Sequence, residues 1–214
     1  MASRYFVGVT GASGHLYAEH LIRALAAAGC GVDLCVTDSG AKVLRHELGV
    51  EAASLSDRLA DWLGAAVAAH VRVFPADAID APAASGTALT RAVILCPCSM
   101  GTLARVAAGF SSNLVERAAD VALKEGRPLV LVPRETPLSE IHLENLLRLA
   151  RMGAVVLPAA PGFYHRPKSV EDLVQHVVGK VLDRLGIAHA SGARWGGLAE
   201  PPAEPGIERS GGAR

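Results

Sequence analysis

The sequence predicts an α/β fold built on a doubly wound, mainly parallel sheet, and three observations lead there. Short apolar runs recur at residues 5–9, 32–36, 71–74, 92–96, 129–132 and 154–157, with helix-patterned stretches between most of them. Strands that read as continuous apolar runs are those buried on both faces. The first run ends in Gly11-Ala12-Ser13-Gly14 and passes into a helix-spaced stretch, the strand, loop and helix order from which such sheets are assembled. The 214 residues are 50% hydrophobic and 20% charged, with a mean hydropathy of +0.30, which suits one compact core and is short for two domains. The expected result is a Rossmann-like, flavodoxin-type three-layer sandwich.

Taken in order, the first strand is followed by Tyr17, Leu21, Leu25 and Ala28 at near-helical spacing, and Gly29 stops that helix. A later helix over residues 114–125 starts after Asn113, whose side chain suits an N-cap. The last helix carries Val170, Leu173, Val174, Val177, Val178, Val181, Leu182 and Leu185 as one continuous stripe. Ser169 and Asp172 form a capping box ahead of it, with Asp in place of Glu. Residues 1–197 read as a single domain. Beyond Ile187 the chain turns to Gly, Ala, Pro and scattered charge, so Arg194 and Trp195 are expected to dock and residues 198–214 to form a mobile tail.

Charge narrows the partners. Lys plus Arg and Asp plus Glu balance at 21 each, without the cationic excess that nucleic-acid or anionic-membrane binding calls for, so the expected ligand is small. The longest apolar runs, residues 92–98 and 129–133, fall far short of the ~20 residues of a membrane helix. The N-terminus reaches the Gly-rich loop with no signal-peptide pattern, and a cytoplasmic location is expected. Cys30, Cys35, Cys96 and Cys98 form no CxxC pair and read as reduced packing residues.

In an open parallel sheet the ligand lies at the carboxyl ends of the strands, near the switch in strand order, so the loops after the first, fourth and fifth strands matter most. Gly11 to Gly14 precede a helix whose free N–H groups and positive end favour a phosphate, although a plain tight turn also uses such residues. The loop lacks a full dinucleotide fingerprint and a Walker lysine. Pro97-Cys98-Ser99-Met100-Gly101-Thr102 offers hydroxyls and a glycine after a buried strand. Cys98 has no nearby His in sequence, so an inert buried thiol is the better reading. Arg117 and Lys124 are seven residues apart, on one helix face and ~10 Å apart along its axis, able to embrace an anion. Asp120 lies between them, so a solvated ion-pair face explains them as well. Arg134-Glu135-Thr136-Pro137 places a cation and a carboxylate side by side after the fifth strand.

These segments, together with Glu116-Arg117-Ala118-Ala119-Asp120-Val121, Lys124-Glu125 and Pro161-Gly162-Phe163-Tyr164, occur in an order that resembles the UbiX-type flavin prenyltransferases over residues 5–195. The resemblance implies transfer of a dimethylallyl group from dimethylallyl phosphate to N5 and then C6 of reduced FMN, without metal. The product, prenylated FMN, goes to a UbiD-type decarboxylase, and the family forms homo-oligomers, typically dodecamers. Carried over by motif, Gly11, Ala12, Ser13, Thr37, Ser99, Met100, Gly101, Thr102 and Arg134 would hold FMN. Glu47, Arg117, Lys124, Glu135, Tyr164 and Lys180 would surround the prenyl phosphate, some of them across a subunit interface, with Ser85 as a polar contact. Glu135 is then the expected general acid, Ser13 the proton relay, and Glu47 a group that removes or stabilises charge. Lys180 replaces an arginine of several relatives, and Ile79 replaces an aromatic residue of some. Two alternatives remain, an FMN-dependent decarboxylase of the cysteine-decarboxylase superfamily and a non-catalytic flavin-binding protein. The first lacks an obvious counterpart to its catalytic His and its substrate loop, and the second does not call for a second phosphate site.

Overall fold

The computed structural model describes residues 3–192, so the readings for Arg194, Trp195 and the C-terminal tail lie outside the described residues. Six parallel strands, β1 (Arg4–Val9), β2 (Gly31–Val36), β3 (Val71–Phe74), β4 (Thr90–Cys98), β5 (Leu129–Pro133) and β6 (Val155–Val156), form one sheet in the order β3-β2-β1-β4-β5-β6. The chain winds outward in both directions from the β1/β4 pair, which opens a crevice at the carboxyl ends of those two strands.

The helices are α1 (His15–Ala27), α2 (Asp38–Leu48), α3 (Leu55–Leu63), α4 (Ala65–Ala68), α5 (Met100–Ala107), α6 (Leu114–Lys124), α7 (Glu140–Arg151) and α8 (Val170–Leu185). Strand pleating sorts the core into two layers. Tyr5, Val7 and Val9 of β1 face Leu21, Ile22 and Leu25 of α1 and Val174, Val177, Val178 and Val181 of α8. Phe6 turns the other way, onto Leu103 of α5 and Leu114, Val115 and Ala118 of α6. Asp33, buried in β2, is tied to Arg4 of β1 at 2.9 Å and Arg72 of β3 at 2.8 Å, which compensates a charge placed inside the sheet.

The caps set the helix entries. Asn113 Oδ1 accepts from Glu116 N at 3.0 Å. The Ser169/Asp172 box is present, with Ser169 Oγ accepting from Asp172 N at 3.1 Å and Asp172 Oδ2 accepting from Ser169 N at 3.2 Å. A second box heads α7, where His142 Nδ1 accepts from the Ser139 backbone at 3.3 Å, a use of histidine that the sequence pattern does not announce. The four cysteines are free, and among the described residues no helix is long and apolar enough to cross a membrane.

Candidate active site

The crevice is closed at its base by Thr10, the first residue past β1. Its buried hydroxyl donates to Pro97 O at 2.9 Å and accepts from Ser99 N at 2.7 Å, fixing the first and fourth loops against each other. Thr37 caps α2 by accepting from Gly40 N at 3.1 Å, and Ser99 caps α5 by accepting from Thr102 N at 3.3 Å. Two helix N-termini therefore open onto the crevice with hydroxyls at their caps. Gly11 lies against α2 so closely that a Cβ would stand 2.6 Å from Ser39 Cβ, and Gly14 turns the chain at φ 107°, a region that L side chains rarely adopt.

At the start of α1 the structure departs from the simple anion-site picture. Glu47, arriving from the end of α2, accepts from Gly14 N at 3.0 Å and from His15 N at 2.9 Å, so a carboxylate already occupies this helix N-terminus. Burial pushes the Glu47 pKa up, but hydrogen bonds from the Ser13 hydroxyl and the His15 and Gly14 backbone outweigh it and hold the carboxyl below its usual range. The imidazole of His15 is wholly buried beside it, with Nδ1 3.5 Å from Glu47 Oε2, and burial lowers its pKa against the pull of that carboxylate.

Behind Ser99 lies a network that sequence reasoning missed. Ser99 Oγ donates to Thr102 Oγ1 at 3.1 Å, Arg105 Nη2 donates to the same oxygen at 3.3 Å, and Arg105 Nε is paired with Glu116. Glu116 is fully buried and also accepts from Ser112 N at 3.0 Å and Ser112 Oγ at 2.5 Å. In the sequence Glu116 stands out only as the opening residue of a motif at a capped helix start. Cys98, between the two loops, is fully buried, and burial pushes its thiol up to about 12 although Arg105 opposes this.

The remaining residues fall into three groups. Arg117 donates to Ala84 O at 3.2 Å and pairs with Asp120 at 3.3 Å, as the ion-pair reading expected, while Lys124 pairs with Glu125 at 3.0 Å rather than with Asp120. Packing of Gly86 against Lys124 and Glu125 brings the Ser85 turn alongside both cations, with Ser85 Oγ 2.9 Å from Thr87 Oγ1. Leu114 N donates to Ala76 O just beyond β3, so α6 runs from the carboxyl edge of the sheet toward its amino edge, and Lys124 lies farther from the crevice than Arg117. Arg134 lies just past the end of β5 with its Nε buried and, among the described residues, without a partner, and Glu135 is exposed, accepting from Thr136 N at 3.0 Å. Tyr164 and Lys180 come together at His176. Tyr164 Oη is 3.4 Å from His176 Nε2, and Lys180 lies one turn along α8 and acts electrostatically on that imidazole. The chain thus carries Arg117 and Lys124 on one layer of the sandwich and Lys180 on the other.

A doubly wound sheet with hydroxyl-capped helix starts around its switch point defines a class of small α/β proteins that bind their ligands at the carboxyl ends of the strands. The family model described as Flavoprotein matches residues 2–182. The chain is 50% identical over 194 residues to flavin prenyltransferase UbiX of Halalkalibacterium halodurans, covering 90% of this chain and 93% of that one. The crystal structure of AnUbiX (PadA1) in complex with FMN and dimethylallyl pyrophosphate is 36% identical, with a TM-score of 0.83 over 93% of this chain and 100% of the other. A dodecameric FMN-dependent Ubix-like decarboxylase from Escherichia coli O157:H7 is 41% identical, with a TM-score of 0.80 over 91% of this chain and 100% of the other. The chain belongs to the flavoprotein family and, within it, to the UbiX flavin prenyltransferases.

Proposed function

We propose that this protein transfers a dimethylallyl group from dimethylallyl phosphate to reduced FMN and releases prenylated FMN. The observation that carries this reading is the match in fold, over 93% of this chain at 36% identity, to a UbiX protein described with both FMN and a dimethylallyl donor. The name decarboxylase given to the E. coli relative marks the competing reading, against which stand the prenyltransferases at higher identity.

The residues present fit a flavin phosphate. Arg134 Nε is a buried donor with no acceptor among the described residues, Thr37 offers a hydroxyl at the start of α2, and Gly11 keeps the wall of the crevice free of a side chain. Gly11, Ala12, Ser13, Thr37, Ser99, Met100, Gly101, Thr102 and Arg134 would hold FMN. When bound and reduced, it supplies the nucleophilic ring edge and a flat π surface. The chain's own work is electrostatic. Arg117, Lys124 and Lys180 neutralise the phosphate as the allylic C–O bond breaks, Tyr164 donates to it, Ser85 adds a polar contact, and Glu135 protonates the departing oxygen. Ser13, whose hydroxyl helps hold the Glu47 carboxyl below its usual range, relays the proton that leaves N5. Glu47, held ionised, is a poor proton store, so its part is to orient Ser13 and stabilise positive charge.

Because the cations are split between opposite layers of one protomer, the donor site is completed between copies in a homo-oligomer, a dodecamer by analogy with the E. coli relative. A UbiD-type decarboxylase is the intended recipient of the product, and a cytoplasmic setting suits four free thiols. Anaerobic incubation with reduced FMN and either dimethylallyl phosphate or the diphosphate, followed by mass analysis of the flavin, tests the reading. A flavin gaining one dimethylallyl unit is expected; an unaltered flavin with both donors refutes it.

A further inference from the structure

We propose that His176 is a positioning residue that fixes the hydrogen-bond direction of the Tyr164 hydroxyl, so that the phenol meets the prenyl phosphate as a donor. The inference rests on the reading that Tyr164 binds that phosphate.

Gly162 N donates to His176 Nδ1 at 2.7 Å, and a ring nitrogen that accepts carries no proton, so in the neutral imidazole the hydrogen is on Nε2. Nε2 is 3.4 Å from Tyr164 Oη and therefore donates to it. A phenol oxygen that accepts from His176 sends its own hydrogen elsewhere, and phosphate oxygens are acceptors. The rings of Tyr164 and His165 both meet His176 edge-on, with centroids 5.8 and 5.2 Å away, which limits rotation of the imidazole.

The charges around His176 favour this state. Tyr164 and His165 face it from the loop before α8, and Lys180 lies one turn onward. Asp172, one turn earlier, is held by the Lys168 and Ser169 backbone and acts on His165. Burial first, then His165 and Lys180, lower the pKa of His176, so the imidazole is neutral at neutral pH. Acidification would protonate Nδ1 and set it against the Gly162 N–H, donor against donor.

The test is calorimetric binding of dimethylallyl phosphate to the FMN-loaded protein. His176→Asn retains an acceptor for Gly162 but lacks the distal donor, and its donor affinity should fall roughly three- to tenfold with FMN affinity unchanged. His176→Gln, which can present an N–H at the distal position, should recover part of the loss. The double variant with Tyr164→Phe should bind no more weakly than Tyr164→Phe alone. An unchanged affinity in Tyr164→Phe removes the underlying reading and the proposal with it. A weakened Tyr164→Phe beside an unaffected His176→Asn, or losses that add, overturns the proposal alone. Independently of folding of the His176 variants, the affinity advantage of wild type over Tyr164→Phe should shrink as pH falls below the usual imidazole range of ~6.5, and a constant advantage overturns the proposal.

Discussion

Glu116→Gln is expected to loosen the α5 side of the crevice. The carboxylate is fully buried and accepts from Arg105 Nε, Ser112 N and Ser112 Oγ. Glutamine keeps the shape but turns one oxygen into an NH2, which must face either Arg105 or the Ser112 backbone, a donor against a donor. A hydrogen bond to a charged group contributes about 1.5 to 3 kcal/mol, and the partly exposed Arg105 regains water, so a net loss of about 2 to 3 kcal/mol is reasonable. For a chain of this size that corresponds to a fall in Tm of roughly 4 to 12 °C. Since Arg105 Nη2 also holds Thr102 Oγ1 at 3.3 Å, beside the Ser99 cap, FMN affinity should drop a few-fold as well.

Thermal unfolding at fixed protein concentration and titration of FMN fluorescence give the two readouts, the concentration being fixed because association shifts Tm. The pH dependence adds a third. Burial pushes the Glu116 pKa up, but the Ser112 and Arg105 contacts outweigh it, leaving the folded value below the usual one. Its stabilising contribution is therefore complete above the unfolded carboxylate pKa of ~4.3 and is lost as pH falls through the folded value. The glutamine variant should lack that acid limb. A Tm within about 1 °C of wild type, with FMN affinity unaltered, would refute the network's role.

Cys98→Ala should retain most prenyl transfer in single-turnover flavin conversion, because burial holds the thiol near about 12, whereas Glu135→Gln should lose it; the reverse ranking points to thiolate chemistry. Lys180→Ala should raise the KM for the prenyl donor by roughly tenfold and Lys180→Arg should preserve or improve it, while Arg134→Ala should weaken FMN instead. An unchanged donor KM in Lys180→Ala would return that lysine to a solvated helix flank. Gly11→Val must displace the first turn of α2, since even a Cβ would come within 2.6 Å of Ser39 Cβ, so both Tm and FMN affinity should fall; retained affinity would show that the loop yields freely.

The sequence by itself determined the layers. Strands buried on both faces leave unbroken apolar runs, so all six strands are legible, with β3 at the observed Val71–Phe74 and β4 extending two residues beyond the run at each end. Local capping chemistry is equally readable, because Asn113 and the Ser169/Asp172 pair act on backbone groups three residues away. The family was legible too, since its motifs are short and contiguous.

Tertiary structure alone decided what those motifs touch. Glu47 reaches the start of α1 from 33 residues away, and Thr10 joins loops 87 residues apart; no periodicity encodes such contacts. The Arg105–Glu116 pair and the Gly162–His176–Tyr164 chain likewise depend on how loops and helices pack. The same holds for the separation of Arg117 and Lys124 from Lys180. Helical spacing tells which side chains share a face, but only the winding of the chain about its sheet assigns α6 and α8 to opposite layers.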